Sequence, residues 1–432
     1  SFYRHCIAED PEWSLVTVPS LTELCLQHIA DNFEKNPILD RLLPEHQRKV
    51  LERLSTGLPL TVTATLKNDE DYWKRCCTER WKLCNVSNYG DSWKRMFLER
   101  HLENVLRRFI PNTTDPNQVL ELIPLCKDYV KKLEVDQFLP PVKMDQKEEA
   151  YDVSDTRSGV GLDEVSAHHY DLGVLITALP HLEELHLSYN VKDCGMNFEW
   201  NLFNFTHQDC CNLAGALKMC PSLKVFKLTH SEVDDDKTRL LVHNLLDHPK
   251  LVELNLSHNI IKDKGARAVG KLISQSRLET LNLCNNQIHH LGAQAIAKAL
   301  AKNPTLTSLN LRLNRVEDEG GEAIGRALLT NNTLKSIHLG SNNLSGPTAL
   351  IFSQVLAKNT TLTSVNFSCN HLGLDGGKQL LEGLANNKTL TECDLRLAEV
   401  SQEAEYFINQ IARSNEEAAK LRSLQHPPAK AL

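Results

Sequence analysis

A nine-position motif, L-x-x-L-x-L-x-x-N, returns at near-constant spacing through the second half of this chain. A chain that repeats in this way is restricted to a stacked solenoid. Leu251-Val252-Glu253-Leu254-Asn255-Leu256-Ser257-His258-Asn259 is followed by Leu278…Leu281…Leu283…Asn286 and by Leu306…Leu309…Leu311…Asn314. Leu334…Ile337…Leu339…Asn342 and Leu362…Val365…Phe367…Asn370 continue the series. Block starts at 223, 251, 278, 306, 334, 362 and 390 are separated by 28, 27, 28, 28, 28 and 28 residues. Leu254 and Leu256 are two apart, so they share one face of a short strand. The closing asparagine is placed to bond backbone groups in the turn, and stacking would align Asn190, Asn259, Asn286, Asn314, Asn342 and Asn370 into a ladder. Fourteen residues after a block start stands Gly265, Gly292, Gly320 or Gly376. Apolar residues follow at helical spacing, as in Val269/Ile273 and Ile296/Leu300. One unit cannot bury its leucines alone, whereas stacked units bury them in one continuous core.

This strand-plus-helix unit of 28 residues resembles the ribonuclease-inhibitor class of leucine-rich repeats. The expected fold is an α/β leucine-rich-repeat solenoid, a horseshoe with a parallel sheet on its concave side, preceded by a small all-α domain. The expected organisation is a helical domain over 1–125, a degenerate first repeat and loop excursion over 126–181, the horseshoe over 182–412, and a cap and tail over 413–432. Val130…Leu133…Val135 is the candidate degenerate strand. Ser231 and Ala398 stand where the ladder asparagine is expected. The 41-residue step from Leu182 to Leu223 contains an insertion with Phe198, Trp200, Phe203 and Phe205. Packing down over the solenoid is the favoured reading of these rings. A docking anchor is the other, since aromatics are enriched in binding hot spots.

Upstream, Ser20 with Glu23 three residues on forms a capping-box start, and Leu21, Leu24, Cys25 and Ile29 share one helical face. That face is expected to be core. Further helices are expected from Pro44 to about Leu54, over Glu70–Trp81 and over Ser92–Phe109, with Trp73, Trp81 and Trp93 filling the core of the domain.

Composition excludes several function classes. A net charge of -7 and a pI near 6.2 oppose general nucleic-acid binding, which needs a basic surface. No apolar run approaches the length of a membrane span. Ser1-Phe2-Tyr3-Arg4-His5-Cys6 does not read as a signal peptide, and the chain begins without Met. Thirteen irregularly spaced cysteines read as reduced intracellular thiols. The sequons at Asn112, Asn255, Asn359 and Asn366 are accordingly read as chance. No phosphate loop, zincin, hydrolase-elbow or kinase signature is present, so no catalytic residue, cofactor or metal is expected. His207, Cys210, Cys211 and Cys220 match no zinc spacing and read as repeat-helix residues. His168-His169 and His289-His290 read as surface doublets. Asp234-Asp235-Asp236 reads as a charge-favourable helix start without calcium. The period places Asn282, Asn310, Arg312 and His338 on the concave face, a small, polar surface suited to a protein partner. Arg312 has no carboxylate at adjacent concave positions and is the first candidate anchor for a partner's acid, a solvated arginine that binds nothing being the other reading, with Trp200 and Phe203 as the rival docking surface.

Three segments carry a more specific likeness: SLTELCLQHIADN at Ser20–Asn32, DYWKRCCTERW at Asp71–Trp81 and NFEWNLFNFTHQDC at Asn197–Cys210. With the repeats, they make the chain resemble the leucine-rich-repeat subunits of the nexin–dynein regulatory complex of motile cilia and flagella. The resemblance implies a non-enzymatic structural subunit in the axoneme, partnered by other subunits of that complex and by neither nucleic acid nor membrane. A second reading rests on Ser20-Leu21-x-x-x-Cys25-x-x-x-Ile29, which resembles the BC-box that docks on elongin C in leucine-rich-repeat ubiquitin-ligase receptors. Capture of elongin B and C would separate the two.

Overall fold

The computed structural model describes residues 19–66, 69–140, 168–192 and 205–425. They divide into two compact units: residues up to Leu102 with Val119–Val130, and Glu103–Gln118 with the chain from Lys131 onward.

The first unit is helical. Leu21–Asp31 is capped by Ser20, whose Oγ accepts from the Glu23 N–H at 3.2 Å. Pro44–Arg53 starts on its proline, and Glu70–Arg80 follows. Phe33, Val50, Leu54, Trp73, Cys77 and Met96 form the core. Trp81 and Trp93 do not join it and are only half-buried. Both sit at helix ends, where cations cover them: the Arg80 and Arg100 guanidiniums lie 5.3 and 5.2 Å from the Trp81 ring centroid, and the Lys74 ammonium 5.9 Å from that of Trp93.

The helix Leu21–Asp31 also presents a different face from the expected one. Leu26 and Ala30 are buried, with Phe33 beyond them, whereas Leu21 is 77% exposed and Leu24 and Cys25 are exposed too. The cause is electrostatic as well as apolar. Glu23 lies on the side of Leu26 and Ala30, and its carboxylate pairs with Arg53 and, at 3.4 Å, with Lys49 on the neighbouring helix. The Arg53 hydrogen bond holds the Glu23 carboxyl below its ordinary pKa.

In the second unit, nine strands form one parallel sheet in sequence order: β1 Lys132–Val135, β2 Glu184–Leu187, β3 Val225–Leu228, β4 Glu253–Asn255, β5 Thr280–Asn282, β6 Ser308–Asn310, β7 Ser336–His338, β8 Ser364–Asn366 and β9 Glu392–Asp394. The register is that of the motif, with Leu254 opposite Leu281, Leu281 opposite Leu309 and Leu309 opposite Ile337. These residues are buried with Leu256, Leu283, Leu311 and Leu339 against helices that pack neighbour on neighbour.

Asparagines join successive repeats at both ends of the strand. Asn314 is typical of the first ladder. Its Nδ2 donates to Leu283 O in the preceding repeat at 2.9 Å and to Leu311 O at 3.0 Å, and its Oδ1 accepts from Ile288 N. Asn259, Asn286, Asn342 and Asn370 do the same. Asn190 is a correction: its buried Oδ1 has no partner among the described residues, and the adjacent link runs from Tyr189 N to Ser231 Oγ at 2.9 Å. The residue before each ladder position takes a left-handed conformation, with φ between 50° and 59° at His230, His258, Asn285, Leu313, Ser341, Cys369 and Leu397. Non-glycine residues there cost about 1–3 kcal/mol, so the turn persists because the neighbouring bonds over-determine it.

A second ladder, absent from the sequence expectations, lies where each helix returns to the sheet. Asn303, Asn331, Asn359, Asn387 and Asn415 donate to carbonyls of the preceding repeat, as in Asn331 Nδ2 to Leu300 O at 2.8 Å. Asn331 Oδ1 accepts from Thr333 N and Leu334 N. The sequon at Asn359 is this ladder motif: the asparagine needs the backbone N–H groups of Thr361 and Leu362. Aspartates make a third link. Asp263 Oδ1 accepts from His289 N at 2.9 Å and Gly292 N at 2.8 Å, so the first turn of one repeat helix caps the next. A Cβ on Gly292 would meet that oxygen at 2.7 Å, which explains a glycine here. Asp234 caps its own helix through Lys237 N, and Asp235 caps the following one through Lys262 N and Gly265 N. The array ends on Gln402–Gln425, whose Asn415 bonds Leu390 O at 2.9 Å.

Candidate functional site

The concave sheet face is the candidate site, because its side chains stand on a rigid scaffold and point away from the core. At its first end the charges satisfy one another. Lys132 bonds Glu134 at 2.8 Å, His186 lies 3.8 Å from the same carboxylate, and Lys227 bonds Glu253 at 2.9 Å. The neighbouring His186, then burial in opposition, then Lys132 act on the Glu134 carboxyl, which ends well below its ordinary range. At the far end Arg396 bonds Asp394 at 2.7 Å, and Asp394 also accepts from Asn366 Nδ2 at 2.8 Å.

The middle differs. Asn255, Asn282, Asn310 and His338 are consecutive register partners across β4 to β7. Thr280, Ser308 and Ser336 form the parallel row beside them. Each asparagine turns its Oδ1 back to a backbone N–H two residues on: Asn255 to Ser257 at 2.9 Å, Asn282 to Cys284 at 2.9 Å and Asn310 to Arg312 at 3.0 Å. Arg312 is exposed and makes no ion pair among the described residues. The four expected concave residues Asn282, Asn310, Arg312 and His338 therefore come together. Trp200, Phe203 and Phe198 lie outside the described residues. Phe205, at the end of the same insertion, is fully buried with its ring 4.4 Å from that of Tyr189.

Beside Phe205 lies a histidine that the sequence reading placed at the surface, paired with Asp209. His169 is 7% exposed, and its Nδ1 lies 2.9 Å from Asp209 Oδ2, while its backbone N–H donates to Asp209 Oδ1 at 3.0 Å. Burial works to raise the Asp209 carboxyl, but bonds from His169 and Thr206 outweigh it and leave the carboxyl lowered. The 40 residues separating the two explain why no local pattern reveals them. The pair ties the chain entering the second repeat to the start of helix His207–Lys218, a structural role. The other doublet stays at the surface, with His290 3.6 Å from Glu317.

Among the described residues no group of three or more potential ligands is arranged to hold a metal, and no helix is long and apolar enough to cross a membrane. Cys210 and Cys220 point to separate carbonyls, Lys237 O and Leu182 O. Every described cysteine is a free thiol. Burial pushes the Cys77, Cys126 and Cys210 thiols up to about 12, which makes them poor nucleophiles.

Exposure of Leu21 and Cys25 reverses the expectation for the first helix. Leu21→Asp should leave the fold intact, shifting stability by no more than about 0.5 kcal/mol, the usual range for a surface change. Urea unfolding followed by circular dichroism checks this. A loss of several times that size would mean that Leu21 is core after all.

The leucine-rich repeat family model matches residues 247–270, 302–325 and 358–381. The chain is 61% identical over 264 residues to human dynein regulatory complex subunit 5, covering 61% of this chain and 53% of that protein. It is 32% identical over 224 residues to the Chlamydomonas reinhardtii protein of the same name, covering 52% of this chain and 50% of that one. The chain thus spans about half the length of the curated relatives it matches. Among solved structures, the Rad7 and Elc1 complex of yeast gives a TM-score of 0.36 at 16% identity, covering 91% of this chain and 85% of that one.

Proposed function

We infer that this chain, a leucine-rich-repeat homologue of dynein regulatory complex subunit 5, is a non-enzymatic scaffold subunit of the nexin–dynein regulatory complex. In this reading it works in the axoneme of motile cilia and of the sperm flagellum. It helps link neighbouring doublet microtubules and regulate dynein-driven bending through contacts with other subunits. The observation that carries the reading is the 61% identity to the human subunit over 264 residues. A preformed, rigid groove supports it, since little ordering entropy is lost when a partner docks there.

The test is a pull-down from ciliary extract with the full chain, Arg312→Glu and Trp200→Ala. The wild-type chain should capture other regulatory-complex subunits, and Arg312→Glu should weaken that capture. Failure of the wild-type chain to capture any such subunit would sink the reading. If capture survives both substitutions, the concave face and the aromatic insertion are both wrong as docks, and the helical unit becomes the candidate. The accessible Leu21 and Cys25 make co-purification with elongin B and C a direct test of the ubiquitin-ligase alternative.

A further inference from the structure

The middle of the concave face is chemically one-sided. An asparagine amide accepts through its oxygen and not through its NH2, so the bonds from Ser257 N, Cys284 N and Arg312 N fix the amide orientation of Asn255, Asn282 and Asn310. Each Nδ2 is thereby turned away from the turn it caps. None of the three has an acceptor among the described residues, and strand pairing sets them side by side at about 4.8 Å. Arg312 stands beside this row, two residues beyond Asn310 in the same repeat, exposed and without an ion pair among the described residues. The nearest concave carboxylates are already engaged, Glu253 on β4 by Lys227 and Asp394 on β9 by Arg396 and Asn366.

We propose that strands β4 to β7 bind an extended acidic segment of a partner protein, with a carboxylate on Arg312 and further acceptors on the outward amides of Asn255, Asn282 and Asn310. This rests on the reading of the concave face as a dock and adds the chemistry of what docks. A basic segment would set donors against donors. A phosphate backbone needs many cations, and this stretch offers one. An apolar segment would bury the three amides without partners, which is unfavourable. The acidic segment satisfies the donors, and it is drawn to a local positive site on a chain whose net charge is -7.

The probe is a fluorescein-labelled octapeptide of alternating serine and glutamate, compared with its glutamine counterpart by fluorescence anisotropy on the full chain. The glutamate peptide should bind at least about tenfold more tightly, and raised salt should reduce the difference. Arg312→Glu should abolish that preference. The double variant Asn282→Asp, Asn310→Asp keeps both oxygens for Cys284 N and Arg312 N while replacing the outward donors with carboxylate. It should fold with an unchanged melting curve and lose the glutamate peptide. Lys271→Glu on a repeat helix should bind as the wild type does. Equal binding of the two peptides, or undiminished binding by the double variant, overturns the proposal. If the peptide fails but Arg312→Glu still weakens capture from ciliary extract, the acidic partner is wrong and the dock stands. If the peptide binds as described while capture is unaffected, the acidic site stands and its role in the complex falls.

Discussion

Asn342→Ala is expected to cost the repeat array about 3–5 kcal/mol, the sum of several stranded backbone groups at roughly 1–3 kcal/mol each. Asn342 is fully buried, and its Nδ2 donates to Leu311 O at 2.9 Å and to Leu339 O and Gly340 O at 3.1 Å. Its Oδ1 accepts from Val316 N at 3.3 Å. Alanine removes every one of these partners and leaves buried backbone groups of adjacent repeats unpaired. The bonds cross from one repeat to the preceding one, and a solenoid is held together by such nearest-neighbour terms. Urea unfolding by circular dichroism should therefore show both a lower midpoint and a broader transition, as the repeats on either side of position 342 uncouple. Asn332→Ala, at an exposed asparagine with no side-chain bond, is the control and should stay within about 0.5 kcal/mol. Equal, small effects at 342 and 332 would mean that leucine burial alone holds the array together.

The periodic part of the fold was legible because one motif carries both of its levels. Leu254 and Leu256 define a strand face, and the 28-residue return of that face defines the stack. The concave residues Asn282, Asn310, Arg312 and His338 could be placed from the same period, since alternate positions of a strand must face the other way. The second asparagine ladder was equally periodic, in Asn331-x-Thr333, Asn359-x-Thr361 and Asn387-x-Thr389. At Asn359 the same three letters also form a glycosylation acceptor, which masks the ladder motif in the sequence. Non-periodic features were less readable. The first helix has apolar residues on both sides, and the Glu23 pairing with Lys49 and Arg53 decides which side is buried. The outward pointing of the Asn282 amide depends on a bond to Cys284 N, which spacing cannot reveal.

Asp69→Asn is expected to stabilise the helical unit at neutral pH, by up to about 3 kcal/mol, the order of the cost of ionising a carboxyl raised from 3.8 to about 6. Asp69 is 7% exposed and its Oδ2 has no hydrogen-bond partner among the described residues. It lies in the wall of a cleft of about 960 Å³ between Phe33, Leu39, Leu66 and Tyr72. The nearby cation does not rescue it. The Lys94 ammonium donates to Ala64 O at 2.7 Å and Leu66 O at 2.8 Å. Burial, opposed by Lys94 and helped by Glu70, raises the Asp69 carboxyl from 3.8 to about 6. Between those two values the folded chain keeps a proton that the unfolded chain has lost. Stability therefore falls as pH rises through that window, and the penalty is fully present above about 6 and absent below about 4. Asparagine has the same shape and no charge to desolvate, so wild type and variant should melt together in acid and diverge in favour of the variant as pH rises. Thermal melts of both full chains across this range provide the measurement. A variant that melts lower than the wild type at neutral pH would show instead that the ionised Asp69 carboxylate is paired with Lys94, and that this charge holds the unit together.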